Sequence, residues 1–377
     1  MRDFLNTASK THFLFPIDGD FLNAKDGDRE EEGAVIVARV AAAPHSRVLI
    51  NGREATETES GLYRASICVC EGQNTLCAKN CTDETSAEIS VYYTDRTEGK
   101  WRISSDDNIL FLADITKNQD RYTSIFDNPY LAVYKKAHDL FGACVHLNLF
   151  YAFDRAAARF FSEARPDFDL SMMTDRFKAE WEANADWLKL SFHARAEKPD
   201  KPYQFASPET ITRDFLDVRS EILRFAGEKT FSSDVTTVHW GEANPACVEA
   251  LRELGHRGLA GYFELNDDGT PLVSYYAPVD LIKHVGERDF WRDHEMEMTF
   301  ARIDRVTNIG TLQSVMEDLE AIMAHPHRGG FVSVMIHEQY FYKDYVNYLP
   351  DFEARVLEPA RLLSEHGYKG CLIKDIL

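Results

Sequence analysis

Long hydrophobic runs are missing from this chain of 377 residues. No stretch is long enough to span a membrane, which argues against a membrane as partner. The opening residues, Met1-Arg2-Asp3-Phe4-Leu5-Asn6-Thr7, lack the apolar core of a secretory signal, so a cytoplasmic chain is expected. Positive charge is also scarce. The 42 Lys and Arg face 62 Asp and Glu, for a formal net charge of -20. A field of that sign repels phosphate backbones and argues against nucleic acid, while a neutral sugar or a cation meets no such barrier. No Gly-x-Ser-x-Gly elbow is present for a serine nucleophile. Gly255, Gly258 and Gly261 do not form a dinucleotide fingerprint.

Cysteine is sparse and odd in number, at 7. Four cluster as Cys68, Cys70, Cys77 and Cys81, but neither pair has the two-residue spacing of common zinc sites. Cys68 and Cys70 also fall two apart in a β-type run, where they share one face. Strand packing is the simpler reading.

What is present divides in two, predicted here as a β-sandwich over 1–103 and an α/β domain over 104–377. Between about 12 and 103 the pattern is all-β. Candidate strands are Val35–Val40, Arg47–Ile50, Leu62–Cys70, Asn74–Lys79 and Ala87–Tyr93, and Asn51-Gly52 is a strong hairpin signal. Short strands at this spacing suit a sandwich. With Val48-Leu49-Ile50-Asn51-Gly52 and Glu71-Gly72-Gln73-Asn74-Thr75-Leu76, the region resembles bacterial immunoglobulin-like modules attached to carbohydrate-active enzymes.

After Trp101, apolar strands alternate with amphipathic helices. Ile109–Ala113, Ala143–Phe150, Trp187–Phe192, Val235–Val238, Leu259–Phe263 and Phe331–Ile336 read as strands. Tyr130–Phe141, Phe177–Ala185, Pro208–Phe225, Pro245–Leu254, Leu312–Ala324 and Phe352–Glu365 read as helices. Such alternation predicts a parallel sheet with crossover helices, and its length suits a barrel or partial barrel. Asn266–Asn308 fits poorly and reads as an insertion. Within it, Asp293-His294-Glu295 reads more readily as a solvated charge run than as ligands.

In parallel α/β folds, ligand sites form at the carboxyl ends of strands. On this reading Asp114, His193, His239 and His337 with Glu338 each follow a strand. Asp and His ligate zinc and related divalent metals, which polarise a carbonyl and lower the pKa of water. Glu197, four residues after His193, is a further candidate ligand, although Lys198-Pro199 disfavours a regular helix there. Trp240, Tyr340 and Tyr342 are aromatic candidates for stacking on sugar.

At these strand ends the chain resembles the polysaccharide deacetylase family of the glycoside hydrolase/deacetylase barrel superfamily, over roughly Asn108 to Leu377. The resemblance implies a distorted (β/α) barrel, a divalent metal, and removal of acetyl groups from amino sugars or related substrates. The family's first motif carries two adjacent Asp residues, a base and a ligand. Only Asp114 is matched to it, after Ala113, with Asp127 a remote second carboxylate. In the second motif His193 is followed by Glu197 where a second His belongs. Val238-His239-Trp240-Gly241-Glu242 stands in the third without its Arg. Met335-Ile336-His337 fits the last, whose His is the general acid.

The expected function is therefore metal-dependent hydrolysis of a carbohydrate or related amide or ester, with zinc the favoured metal. Asp114, His193 and His239 or Glu197 would be ligands, Asp114 and His337 catalytic, and Trp240, Tyr340, Tyr342 and Glu338 substrate-binding. The alternatives are a non-catalytic carbohydrate-binding relative, and a glycosidase pairing Asp114 with Glu338 or Glu242.

Overall fold

The computed structural model describes residues 4, 5, 7, 9–165 and 167–377. Its N-terminal part consists of two five-stranded sheets. One is built on Gly33–Ala41, flanked by His12–Phe15, Gly27–Glu30 and Leu62–Cys70, with Thr56–Glu59 beyond. The other runs in the order Phe21–Leu22, Thr85–Tyr93, Gly72–Asn80, Val48–Ile50, Arg53–Glu54. Alternate residues point inward, as a sheet solvated on one face requires. Ala34, Ile36, Ala38 and Val40 therefore join Val48, Ile50, Ile67, Leu76 and Val91 in a separate apolar core. Asn51 and Gly52 both adopt positive φ, 48° and 77°, the signature of a type I′ hairpin turn. Cys68, Cys70 and Cys77 lie on exposed positions of these strands, and all seven cysteines are free thiols.

The remaining chain is α/β. Parallel strands stack in the order Leu188–Ala194, Val145–Phe150, Lys100–Asn108, Phe331–His337, Arg305–Val306, with Lys369–Gly370 also pairing with Lys100–Asn108. A second sheet orders Val235–Thr236, Gly258–Gly261, Met298–Arg302 and, antiparallel, Phe290–Asp293. These ladders do not close, so the expected barrel is corrected to two open sheets. Leu188–Ala194 and Val235–Thr236 lie side by side, with Ser191 Oγ 3.1 Å from Thr236 Oγ1, but form no continuous ladder. No helix of the described residues is long and apolar enough to cross a membrane.

Two expectations fail for one physical reason. Ile109–Ala113 is not a strand: residues Leu110–Lys117 form a helix. The strand lies just before it, at Lys100–Asn108, across the expected junction at 103. A five-residue apolar run fits a buried helix as well as a strand. The true strand carries Arg102, Ser104, Ser105, Asp106 and Asn108, all buried, because it runs between two parallel neighbours where every side chain is enclosed. Its polar groups find partners there. Arg102 Nε donates to Ser333 Oγ at 3.0 Å, and Ser105 Oγ lies 2.6 Å from Tyr130 Oη. The same masking hid Met298–Arg302, which is fully buried. The segment 266–308 thus supplies part of the second sheet and is not merely an insertion. Asp293 is buried, capping its own turn through the amides of Glu295 and Met296, and His294 Nε2 reaches Ser90 O at 3.0 Å. Asp293 is therefore not solvated as expected, whereas Glu295 is exposed.

Helix signals held better. Gly142 ends Pro129–Phe141 with φ 67°, a left-handed residue at the helix end. Pro208–Phe225, Leu312–Ala324 and Phe352–Glu365 form as the periodicity predicts.

The two parts meet through buried ions. Arg288 lies 2.6 Å from Asp26 and 3.5 Å from Asp20, and Trp291 Nε1 donates to Asp18 O at 2.8 Å.

Candidate metal centre

Asp106 and Asp107 stand near the carboxyl end of the central strand Lys100–Asn108. The ladder to Val145–Phe150 shifts register between Ser105 and Asn108, and Asp107 takes φ 62°. Asp tolerates that left-handed region better than most residues. His193 stands near the carboxyl end of the neighbouring strand Leu188–Ala194. His239 follows Val235–Thr236, and His337 ends Phe331–His337 opposite Asp106. Four strand ends thus deliver their side chains to one cleft of about 400 Å³.

Asp107, His193 and His239 are all buried and converge. His193 Nε2 is 3.1 Å from Asp107 Oδ1, His239 Nδ1 is 3.1 Å from His193 Nε2, and His239 Nδ1 is 3.3 Å from Asp107 Oδ1. Three corners of a tetrahedron around a zinc ion, with bonds of about 2 Å, lie about 3.3 Å apart. The triangle matches that spacing.

The outer atoms fix which nitrogens face inward. His193 Nδ1 is 2.5 Å from Thr237 O, and His239 Nε2 is 3.1 Å from Glu197 O. A carbonyl only accepts, so each of these nitrogens carries the proton. In the neutral rings, His193 Nε2 and His239 Nδ1 are then lone pairs aimed at each other beside a carboxylate oxygen. Such an arrangement calls for a shared cation or proton. Backbone or carboxylate partners on the distal nitrogen are the usual support of metal-ligating His.

Surrounding contacts hold the rest. Gln339 Nε2 donates to Asp107 Oδ2 at 2.8 Å, leaving Oδ1 for the triangle. Asn148 Nδ2 donates to Asp106 Oδ1 at 2.6 Å while Asn148 Oδ1 accepts from Ser191 Oγ at 2.6 Å. Phe150 packs against both imidazoles, with ring centroids 5.2 and 4.9 Å away. Burial works to raise the Asp107 carboxyl, but the close contacts with His193 and His239 and the field of His337 prevail and hold it well below the usual range. Burial lowers His193, yet Asp106 and Asp107 outweigh it and raise the imidazole. Glu197 is pushed up to about 8 by burial and by the Asp107 charge.

The other predicted residues separate. His337 lines the cleft, and its backbone N–H and Nδ1 both reach Asn308 Oδ1, at 3.1 and 2.9 Å. Two donors on one oxygen set His337 Nδ1 as protonated and leave Nε2 as the nitrogen that can take up or release a proton. Trp240 and Tyr340 also line the cleft. Trp240 adopts φ 63°, a strained conformation for so bulky a residue.

Asp114 is elsewhere. It sits on the Leu110–Lys117 helix and accepts from Asn118, Tyr122 and Asn128 at 2.7 to 2.9 Å, so its placement as ligand and base is corrected to a structural one. The Glu197 carboxyl faces the cleft without joining the triangle; its carbonyl is what orients His239. Glu338 is fully buried, accepting the backbone N–H groups of Ile109, Leu110 and Phe111. Tyr342 donates to Glu338 Oε1 at 2.6 Å. Both brace the helix start instead of meeting substrate. Asp127 caps the turn at Thr123 and Ser124.

Sequence reasoning missed Asp106, Asp107, Gln339 and Asn308. The signal for the first two was present in the sequence as the adjacent pair Asp106-Asp107, the pattern sought at Asp114. It went unread because the preceding strand looked too polar.

No family model matches the chain, and no curated protein matches it. Among solved structures, it is similar to a candidate polysaccharide deacetylase involved in O-antigen biosynthesis from Bordetella bronchiseptica. The identity is 12%, with 70% of this chain and 90% of that one covered and a TM-score of 0.35. A candidate α-galactosidase from Bacteroides fragilis aligns at 9% identity over 94% of this chain and 79% of that one, TM-score 0.26. A candidate α-amylase from Salmonella typhimurium aligns at 10% identity over 90% and 84%, TM-score 0.27.

Proposed function

We propose that this chain is a metal-dependent hydrolase that removes an acyl group from a carbohydrate or a related amide or ester. The observation that carries the reading is the triangle of Asp107, His193 and His239, whose distal atoms are already committed to Gln339, Thr237 and Glu197. Two imidazoles and a carboxylate suit zinc among the divalent transition metals. A bound metal of this kind supplies Lewis acidity to a carbonyl oxygen.

The chain's own groups do the rest. Asp106, held by Asn148 at the cleft floor, is the base that takes a proton from the attacking water. His337 in its doubly protonated form, its Nδ1–H held by Asn308, delivers the Nε2 proton to the leaving nitrogen or oxygen, and the proton taken up by Asp106 restores it at the end of the turnover. One water is consumed: its oxygen ends on the acyl carbon, the carbon–nitrogen or carbon–oxygen bond breaks, and the released amine or alcohol gains a proton. Trp240 and Tyr340 offer ring faces to a sugar in the cleft. The glycosidase alternative loses its carboxylates, since Asp114 and Glu338 are tied into structure and Glu242 pairs with Lys201 at 3.2 Å.

Zinc titration calorimetry on the wild type and on Asp107→Ala tests the proposal, together with hydrolysis of N- and O-acylated glucosamines with and without chelator. The expected result is one zinc per chain, at least a hundredfold weaker binding in the variant, and chelator-sensitive hydrolysis. Equal zinc affinity in both proteins rejects the centre. Bound zinc without hydrolysis of any acylated sugar rejects the enzyme and leaves a binding protein.

A further inference from the structure

A second cavity of about 150 Å³ opens beside the metal triangle. It shares Asp107, Glu197, Gln339 and Tyr345 with the cleft, so the two chambers meet at Asp107, one corner of the triangle. Their linings differ. The cleft holds His337, Asn308, Trp240 and Tyr340, none of which reaches the side chamber. The side chamber is walled by Ile109, Leu110, Phe150, Phe153, Phe160 and Phe161.

We infer that this side chamber is an acyl pocket, and that the substrate carries an apolar acyl group of about six carbons, hexanoyl to benzoyl in size. The inference rests on the hydrolase reading. The proton donor decides the orientation: the leaving amine or alcohol must lie on the His337 side, within the aromatic and polar cleft. The acyl substituent then projects from the carbonyl to the other side, into the chamber that His337 does not line.

Chemistry and size agree. Hydroxyl groups of a sugar placed against Phe and Leu walls would go unpaired, which is unfavourable, whereas alkyl or phenyl surface gains by burial. Apolar protein cavities of about 150 Å³ accept benzene. Of the charged wall residues, Asp107 and Glu197 stand on the side shared with the cleft, and Asp154 and Lys198 are engaged locally. Lys198 N–H donates to Asp154 Oδ2 at 3.0 Å and Lys198 Nζ to Asp200 Oδ1 at 2.5 Å. Phe150 both walls the chamber and packs on His193 and His239, so a single ring separates the chamber from the two imidazoles.

The test compares acetate and hexanoate binding by calorimetry to zinc-loaded wild type and to Ala157→Phe, which places a ring in the chamber from a wall residue outside the metal triangle. Zinc binding and circular dichroism confirm that the variant folds, and Phe160→Ala, which enlarges the chamber, is the second variant. Each added methylene contributes about fourfold when buried. Hexanoate is expected to bind at least tenfold more tightly than acetate. Ala157→Phe should abolish that preference without changing acetate, and Phe160→Ala should shift it to longer chains. Hydrolysis of N-acylglucosamines from acetyl to decanoyl should peak near six carbons in the wild type. Fast acetyl hydrolysis with no hexanoate preference overturns the acyl pocket and leaves the hydrolase standing. No hydrolysis at any chain length overturns both.

Discussion

Gln339 shows how a single side chain acts through another. It lies outside the ligand triangle, yet its amide holds Asp107 Oδ2 at 2.8 Å and so decides that Oδ1 faces the two histidines. Removing such an outer partner typically lowers metal affinity about 10- to 100-fold. Gln339→Ala is therefore expected to weaken zinc binding within that range, with Gln339→Glu unable to restore it because a second carboxylate cannot donate to the first. Calorimetric zinc titration of both variants checks this. Unchanged affinity in Gln339→Ala would show that Asp107 is held by the strand end alone. At this same scale the sequence was only half legible. His193, His239 and His337 were found because each follows a recognisable apolar strand. Asp106 and Asp107 were not, because the strand before them carries Arg and Ser.

Among elements, the Leu110–Lys117 helix depends on a residue far along the chain. Its N-cap, Ile109, makes no side-chain cap bond. Glu338 instead accepts from Ile109, Leu110 and Phe111 at 2.6, 2.9 and 2.6 Å. Those amides belong to the donors a helix start leaves unpaired. With the carboxylate removed, buried amides go unsatisfied at about 1–3 kcal/mol each. Glu338→Ala is accordingly expected to destabilise the fold by about 3 kcal/mol or more, read as a fall in the urea midpoint. A change below about 0.5 kcal/mol would mean that water replaces the carboxylate there. Such a remote cap leaves no local signature, which is why Glu338 read as a cleft residue.

For the whole molecule, buried charge lies where the N-terminal sheets meet the α/β part. Asp289 accepts from the amides of Gly329 and Phe331, at 2.6 and 3.0 Å, and Asn23, next to the strand Phe21–Leu22, reaches it at 3.5 Å. Burial, with the nearby Asp304 charge adding to it, raises Asp289 to about 7. Its folded value lies above the unfolded carboxylate value of about 3.9, so the folded chain binds the extra proton. The resulting stabilisation is complete below about pH 4 and is lost as pH rises through about 7. Urea midpoints measured from pH 4.5 to 8 should therefore fall with pH, at a slope of up to about 1.4 kcal/mol per unit from this group. Asp289→Asn should flatten the profile; the same slope in wild type and variant would assign the proton elsewhere.

The linear chain by itself determined the kinds of element and much of their order. Period-two burial, the Asn51-Gly52 turn and the Gly142 helix stop follow from local sterics and from which face can be apolar. Tertiary structure alone decided which polar residues met. A central parallel strand is enclosed on every side, so Lys100–Asn108 needed no apolar pattern to be buried, and its place between Val145–Phe150 and Phe331–His337 came from pairing with segments far away in sequence. That pairing, with the register shift that turns Asp107 toward His193 and His239, is what made a candidate metal centre from residues the one-dimensional pattern kept apart.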